Sequence, residues 1–313
     1  MAKKNLYVVG LDGGGTKTAA IIADLYGTLA GEAKGPASNF QVIGVEKASE
    51  ALFAMVQECC RTVGCEFEDI ACVLAGLTGA GRPSDKERMG EAFRSLSRKR
   101  GADFKNIRIE SDARVALEGA FKGKPGIILI AGTGSITFGK DEKGNIYRAG
   151  GWGRTIGDEG GGYAIGRDGL NAVTRELDGR GQHTNLTKRV ADEFGLKDQE
   201  SIIAAVYRDN FDLASLAPIV IETASTHDSV CEQIVDRAAS ELTDHIRAIA
   251  FKMGGKSIPL AFIGALLSAE NALANALRKK IASALPHISI AQPLSPPAYG
   301  AVLMALDAAQ SQR

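Results

Sequence analysis

An excess of charge is the first thing missing from this chain of 313 residues: Lys and Arg number 37, and Asp and Glu also number 37. That balance argues against a nucleic-acid or membrane-surface role, though a sum leaves room for a local basic patch. No hydrophobic run approaches the length of a membrane span. Met1-Ala2-Lys3-Lys4 leads straight into a strand without the core of a secretory signal, so a cytoplasmic protein is expected. Cysteine is sparse and unpatterned. Cys59, Cys60, Cys65, Cys72 and Cys231 form no C-x-x-C pair, which reads as reduced, mostly packed thiols in preference to metal ligation. The common phosphate motifs are missing too. A Walker A loop and a dinucleotide fingerprint both open a helix, and neither spacing occurs here. What remains is a hydrophobic content of 45% and a charged content of 24%, ordinary for a globular chain long enough for two domains.

Glycine is where the chain is rich, with 37 residues. Leu6 to Leu11 is an apolar run that reads as a buried strand. It runs into Asp12-Gly13-Gly14-Gly15-Thr16-Lys17-Thr18. A second strand, Ala19 to Ala23, follows at once, and Leu25-Tyr26-Gly27 turns it into a third, Thr28 to Glu32. The glycine loop therefore joins two strands as a hairpin. Glycines let backbone N–H groups approach an anion closely. Thr16 and Thr18 add hydroxyl donors, Lys17 adds charge if it points inward, and Asp12 is placed to hold a metal ion through water. Taken alone, the stretch also reads as a plain glycine-rich turn.

The pattern occurs twice. Gly126 to Ile130 is another apolar run, followed by Ala131-Gly132-Thr133-Gly134-Ser135, a short strand Ile136 to Gly139, a turn at Asp141 to Asn145, and a strand Ile146 to Ala149. Such repetition points to two similar halves, each offering one hairpin to the same anion. Ala131 stands where the first loop has Asp12, so only one side supplies an acid.

Between and after the hairpins the signals are helical. Val45 to Val63 carries apolar residues at helical spacing. Ser38 and Asn39, just before it, serve either the turn or a ligand. Ile70 to Ala75 is a strand ending in Gly76-Leu77-Thr78-Gly79-Ala80-Gly81, with a charged helix from Ser84 to Arg100. Ile107 to Ser111 is a strand and Ala113 to Phe121 a helix. Asp112 between them is either the helix N-cap or a general base at the carboxyl end of a strand, where open α/β sheets bind ligands. The segment from Gly150 to Gly166 holds the single tryptophan, Trp152, the acids Asp158 and Glu159, and many glycines. Carboxylates that accept paired hydrogen bonds beside an aromatic face suit a sugar, while a flexible lid with solvated acids is the blander alternative. Helices follow over Gly162–Leu177, Leu186–Phe194, Gln199–Tyr207, Leu213–Thr226 and Ser229–Met253. A strand, Ile258 to Ile263, ends in Gly264-Ala265, and a helix runs from Ser268 to Ala284. Ile288 to Ala291 is the last strand, and Pro296-Pro297 opens a final helix. Each half thus reads β-β-β-α-β-α-β-α, with extra helices in the second.

Those residues together resemble the N-acetylglucosamine kinase and BadF/BadG-type ATPase family of the actin-like, hexokinase-type ATPase superfamily. The resemblance rests on Asp12 to Thr18, Ser38-Asn39, Ser111-Asp112-Ala113, Ala131 to Ser135, Gly150 to Gly153, Gly157 to Gly160, Tyr207 to Ala214, Gly264 and Ala298 to Ala301. It implies an α/β fold of duplicated ribonuclease-H-like domains, each a mixed sheet flanked by helices, with a cleft between them. The domains would be residues 1–115, rejoined by 297–313, and 116–296. It implies phosphoryl transfer from ATP, with Mg²⁺, to a hydroxyl of an amino sugar, and a homodimer whose ligands are ATP and sugar. Asp112 matches the catalytic base. Gly13, Gly14, Gly15, Thr16, Lys17, Gly132, Thr133, Gly134 and Ser135 match the phosphate loops, and Ala214 and Gly264 the adenosine side. Asn39, Gly151, Trp152 and Asp158 match sugar contacts, and Asp12 the residue that holds magnesium through water. Two departures bear on which sugar is used: Ile136 replaces an asparagine, and Ala149 a cysteine, of the animal enzymes. The competing readings are an ATPase that drives a partner protein, and a nucleotide or sugar sensor without catalysis.

Overall fold

A computed structural model describes residues 5–255 and 257–311, so the expectation for Met1-Ala2-Lys3-Lys4 lies outside the described residues. The chain divides into two compact units: the residues up to Lys124 together with those from Gln292 on, and Pro125–Ala291.

In the first unit, β1 (Tyr7–Gly13) and β2 (Lys17–Asp24) form the expected hairpin, and β3 (Leu29–Pro36) runs four residues past Glu32 because it pairs with β2 as far as Lys17. A short helix α1 (Phe40–Ile43), capped by the Asn39 side chain, precedes α2 (Val45–Val63). Next come β4 (Ile70–Leu77), α3 (Pro83–Lys99), β5 (Ile107–Ser111) and α4 (Asp112–Phe121). The sheet order is β3-β2-β1-β4-β5, with β1, β4 and β5 parallel. Strand β1 is covered on both faces, which explains its unbroken apolar run. Val9 and Leu11 pack with Leu52, Met55 and Phe93 of α2 and α3. Val8 packs on the opposite face with Leu74, Val115 and Val302.

The second unit opens with β6 (Gly126–Ala131), β7 (Ser135–Lys140) and β8 (Ile146–Gly150). Helices α5 (Gly162–Leu177), α6 (Asn185–Phe194) and α7 (Gln199–Ile203) follow. The helix expected to reach Tyr207 changes at Ala204 into a π-helical turn, with the Asp209 N–H bonded to the Ala204 carbonyl. Leu213–Leu216 is a 3₁₀ turn that leads into α8 (Ala217–Ala224), so the helix expected from Leu213 is in two parts. The long α9 (Ser229–Met253) precedes β9 (Ile258–Ile263), α10 (Ala272–Ala284) and β10 (Ile288–Ile290). Helix α10 starts four residues later than expected because the Asn271 carboxamide caps it at Ala274. The order β10-β9-β6-β7-β8 repeats the first sheet, with β6 in the place of β1. Both units are therefore ribonuclease-H-like, the duplicated architecture of actin-like ATPases.

The last helix, α11 (Pro297–Gln310), lies in the first unit against α4 and β1. Helix α4 stays whole in that unit too, so the division falls at Lys124 and not at residue 115, which would cut the helix. Among the described residues no helix is long and apolar enough to cross a membrane.

Candidate active site

In the first unit the candidate residues gather where β1, β4 and β5 end. The hairpin after β1 closes with the Gly14 N–H donating to the Lys17 carbonyl at 3.0 Å. The Gly14 carbonyl faces back into the fold and accepts from the N–H groups of Ser38 and Asn39 at 3.1 and 3.2 Å. Gly13 is glycine for steric reasons, since a Cβ there would lie 2.0 Å from the Ser38 hydroxyl. Gly15 faces open space, and a Cβ on it would meet nothing within 4 Å. The N–H groups of Gly15 and Thr16 have no partner among the described residues, and both residues are exposed with Lys17. Two unpartnered amides, a hydroxyl and an ammonium on one exposed tip make a donor set for phosphate oxygens. Thr18 does not join them. It is buried, and its hydroxyl lies 2.6 Å from the Pro36 carbonyl and 2.8 Å from the Ser38 hydroxyl.

Asp12 and Asp112 are the acids of this unit's site. Asp112 is the first residue of α4, yet it is not the cap. The Ser111 hydroxyl takes the Arg114 N–H at 3.2 Å and performs that task. The Asp112 carboxylate instead accepts from its neighbour Ala113 N–H at 2.8 Å on Oδ1 and from the Thr78 hydroxyl at 2.7 Å on Oδ2. Thr78 was not singled out by its sequence, because nothing local ties it to an acid 34 positions on. Burial, together with the charge of Asp112, raises the Asp12 carboxyl to about 6, against an opposing pull from Lys17. A carboxylate so short of compensation is suited to a hard divalent cation, which oxygen ligands and water would hold. Asn39 uses its Oδ1 to cap α1 through the Gln41 N–H at 3.1 Å.

The second unit repeats the first hairpin's logic with different helpers. The carbonyls of Gly132 and Thr133 both accept, at 2.8 Å, the first N–H groups of α5, those of Gly162 and Tyr163. The N–H groups of Thr133 and Gly134 are left without partners among the described residues. Ser135, expected in the phosphate loop, is buried, and its hydroxyl donates to the Glu159 carbonyl at 2.6 Å. Gly264, at φ 101°, turns the chain after β9 against β6, where a Cβ would sit 2.2 Å from the Ala131 carbonyl. Ala214 lies beside the start of α5, 3.6 Å from where a Gly162 Cβ would be.

The glycine-rich segment after β8 folds onto the same loop. Asp158 adopts a left-handed backbone at φ 58° and accepts the Gly153 N–H at 3.1 Å on Oδ1. Its other oxygen lies so near Gly134 that a Cβ there would be 2.3 Å away. Gly151, also left-handed, donates its N–H to the Ser135 carbonyl at 3.0 Å. Trp152 is 68% exposed, and the Arg148 guanidinium stacks over it at 5.1 Å while donating to the Gly150 and Gly151 carbonyls. The structure thus unites Gly132–Ser135, Gly151, Trp152, Asp158, Ala214 and Gly264 in one unit, and Asp12–Lys17, Asn39 and Asp112 in the other.

Known proteins resemble this chain along almost its whole length. The chain is 34% identical over 305 residues to the N-acetylmuramic acid/N-acetylglucosamine kinase of Clostridium acetobutylicum, covering 96% of this chain and 98% of that one. It is 30% identical over 322 residues to the N-acetyl-D-glucosamine kinase of Dictyostelium discoideum, covering 96% and 97% of the two chains. A crystal structure from Chromobacterium violaceum, provisionally named an N-acetylglucosamine kinase, superposes with a TM-score of 0.74 at 27% identity, covering 97% of this chain and 100% of that one. Residues 9–305 match one family along nearly their whole length, and the chain belongs to the BadF/BadG/BcrA/BcrD ATPase family.

Proposed function

We propose that this protein is an ATP-dependent amino-sugar kinase that moves the γ-phosphoryl group to a sugar hydroxyl, O6 by preference. The observation that carries the reading is the Asp112 carboxylate, relieved of capping by Ser111 and held by Thr78 and Ala113 in the unit that bears the Asp12–Lys17 hairpin. Full-length relatives named as kinases of N-acetylglucosamine and N-acetylmuramic acid supply the substrate class. They favour this reading over an ATPase that drives a partner protein.

Phosphoryl transfer is chiefly positioning and charge neutralisation. The amides of Gly15 and Thr16 in one hairpin, and of Thr133 and Gly134 in the other, would donate to phosphate oxygens as negative charge develops. Gly13 leaves its loop pressed against Ser38, the Gly132 N–H closes the other loop on the Gly134 carbonyl, and the Lys17 ammonium would add charge. Ala214 and Gly264 would border the nucleoside. Asp12 would hold Mg²⁺ through water, and when bound that ion neutralises charge on the phosphates. Asn39, Gly151, Trp152 and Asp158 would bind the sugar. Asp112 would accept the proton of the attacking hydroxyl, and an ordinary carboxylate suffices because the hydroxyl becomes acidic only as it bonds to phosphorus.

The test is ADP release with N-acetylglucosamine, glucosamine, N-acetylmuramic acid and glucose. Asp112→Asn is expected to lower kcat by about 10²–10⁴-fold with nucleotide affinity nearly unchanged. Near-normal turnover in that variant would remove Asp112 from its role. ADP release that no sugar enhances would favour an ATPase.

A further inference from the structure

The geometry points to Thr78 as the positioning residue for Asp112: its hydroxyl sets the direction in which the carboxylate presents its remaining lone pairs. The inference rests on the proposed role of Asp112 and adds a residue to that site.

The contact joins parts of the chain that are distant in sequence. Thr78 directly follows β4, and Asp112 directly follows its parallel neighbour β5, with Leu77 paired to Ser111 across the sheet. That register brings the next residue of each strand together. The Thr78 hydroxyl donates to Oδ2 of Asp112 at 2.7 Å. Thr78 is itself anchored, because its N–H donates to the Gly13 carbonyl at 2.9 Å. Gly13 in turn is wedged against Ser38 and Leu77, with no room for a Cβ. A single residue therefore couples the phosphate-type hairpin to the acid.

A carboxylate on the first residue of a helix has little to fix its rotation. Ala113 holds only Oδ1, and the Ser111 hydroxyl already occupies the capping position at Arg114. Without a donor on Oδ2 the group can pivot about its contact with Ala113. With Thr78 in place, both oxygens are fixed. A misplacement of about 1 Å at a reacting group can cost about 10²-fold in rate. Such loss is expected on kcat, since the Thr78 hydroxyl proton is already given to Asp112.

The experiment compares Thr78→Val, which keeps the shape and removes the hydroxyl, with Thr78→Ser, which keeps the hydroxyl and removes the methyl. Thermal melts show whether each variant is folded. Expected are a fall of ~10²-fold in kcat for Thr78→Val, KM values for sugar and ATP within ~3-fold of the parent, and recovery by Thr78→Ser to within ~3-fold. In an Asp112→Asn background, Thr78→Val should add less than ~2-fold, because a residue that acts through Asp112 has nothing left to position. Three results would overturn the inference: kcat within twofold of the parent in Thr78→Val, equal loss in both Thr78 variants, or an undiminished effect of Thr78→Val in the Asp112→Asn background. An active Asp112→Asn enzyme would instead remove the base itself, so the two failures are told apart.

Discussion

Asp12 is ionised only against resistance. Its carboxyl is raised from 3.8 to about 6, first by burial and second by Asp112, so the folded chain holds this proton more tightly than the unfolded chain does. Between those two values stability from this group falls as pH rises, and it stays lost above the folded value. That rise corresponds to about 3 kcal/mol, an upper figure for a single site. Asp12→Asn cannot ionise and escapes the loss. Without divalent cation or nucleotide, the variant should melt several degrees above the parent at pH 8, and the gap should shrink markedly by pH 5. Equal gaps at both pH values would refute the assignment. The thiols behave in the opposite sense to reactive groups: burial pushes Cys59, Cys72 and Cys231 up to about 12, which fits packed, reduced side chains.

Helices α4 and α11 meet through glycine. A Cβ on Gly300 would lie 1.9 Å from the Val115 carbonyl, and one on Gly119 would lie 2.6 Å from the Pro296 carbonyl. Gly10 of β1 does the same from beneath, where a Cβ would come within 2.4 Å of the Val302 nitrogen. These are backbone contacts, so no rotamer change relieves them. Gly300→Ala must separate two helices that cover one face of the sheet, at a cost of about 3 kcal/mol, and should lower Tm by roughly 10 °C. Gly15→Ala makes the useful contrast, since its Cβ enters open space. That variant should melt with the parent while losing affinity for ATP. A Gly300→Ala protein as stable as the parent would mean that the close approach is not required.

At the scale of the molecule the two units differ in connectivity. The second is one continuous segment, Pro125–Ala291, whereas the first is completed by residues from Gln292 onward. Ending the chain at Ala291 would remove α11 and expose Val8, Leu74 and Val115. Hydrogen exchange on that truncated chain should show lost protection in β1, β4 and α4, with protection retained in β6, β9 and α9. Native-like protection of β1 would show that α11 is dispensable to its unit.

The duplicated hairpins, the two glycine loops, and the acids Asp12 and Asp112 are readable from residue order, because apolar runs, glycine and turn chemistry act between near neighbours. The same locality explains what could not be read. Whether Asp112 caps its helix depends on Ser111 taking the cap and Thr78 arriving from another strand, which the parallel register of β4 and β5 decides. Thr18 and Ser135 look like phosphate donors by position, but burial turns their hydroxyls to carbonyls of Pro36 and Glu159. The sequence alone therefore determined the repeat and the kinds of group at its loops. Tertiary structure decided which hydroxyls and carboxylates remain available, because a polar group drawn into the interior must find its partner there.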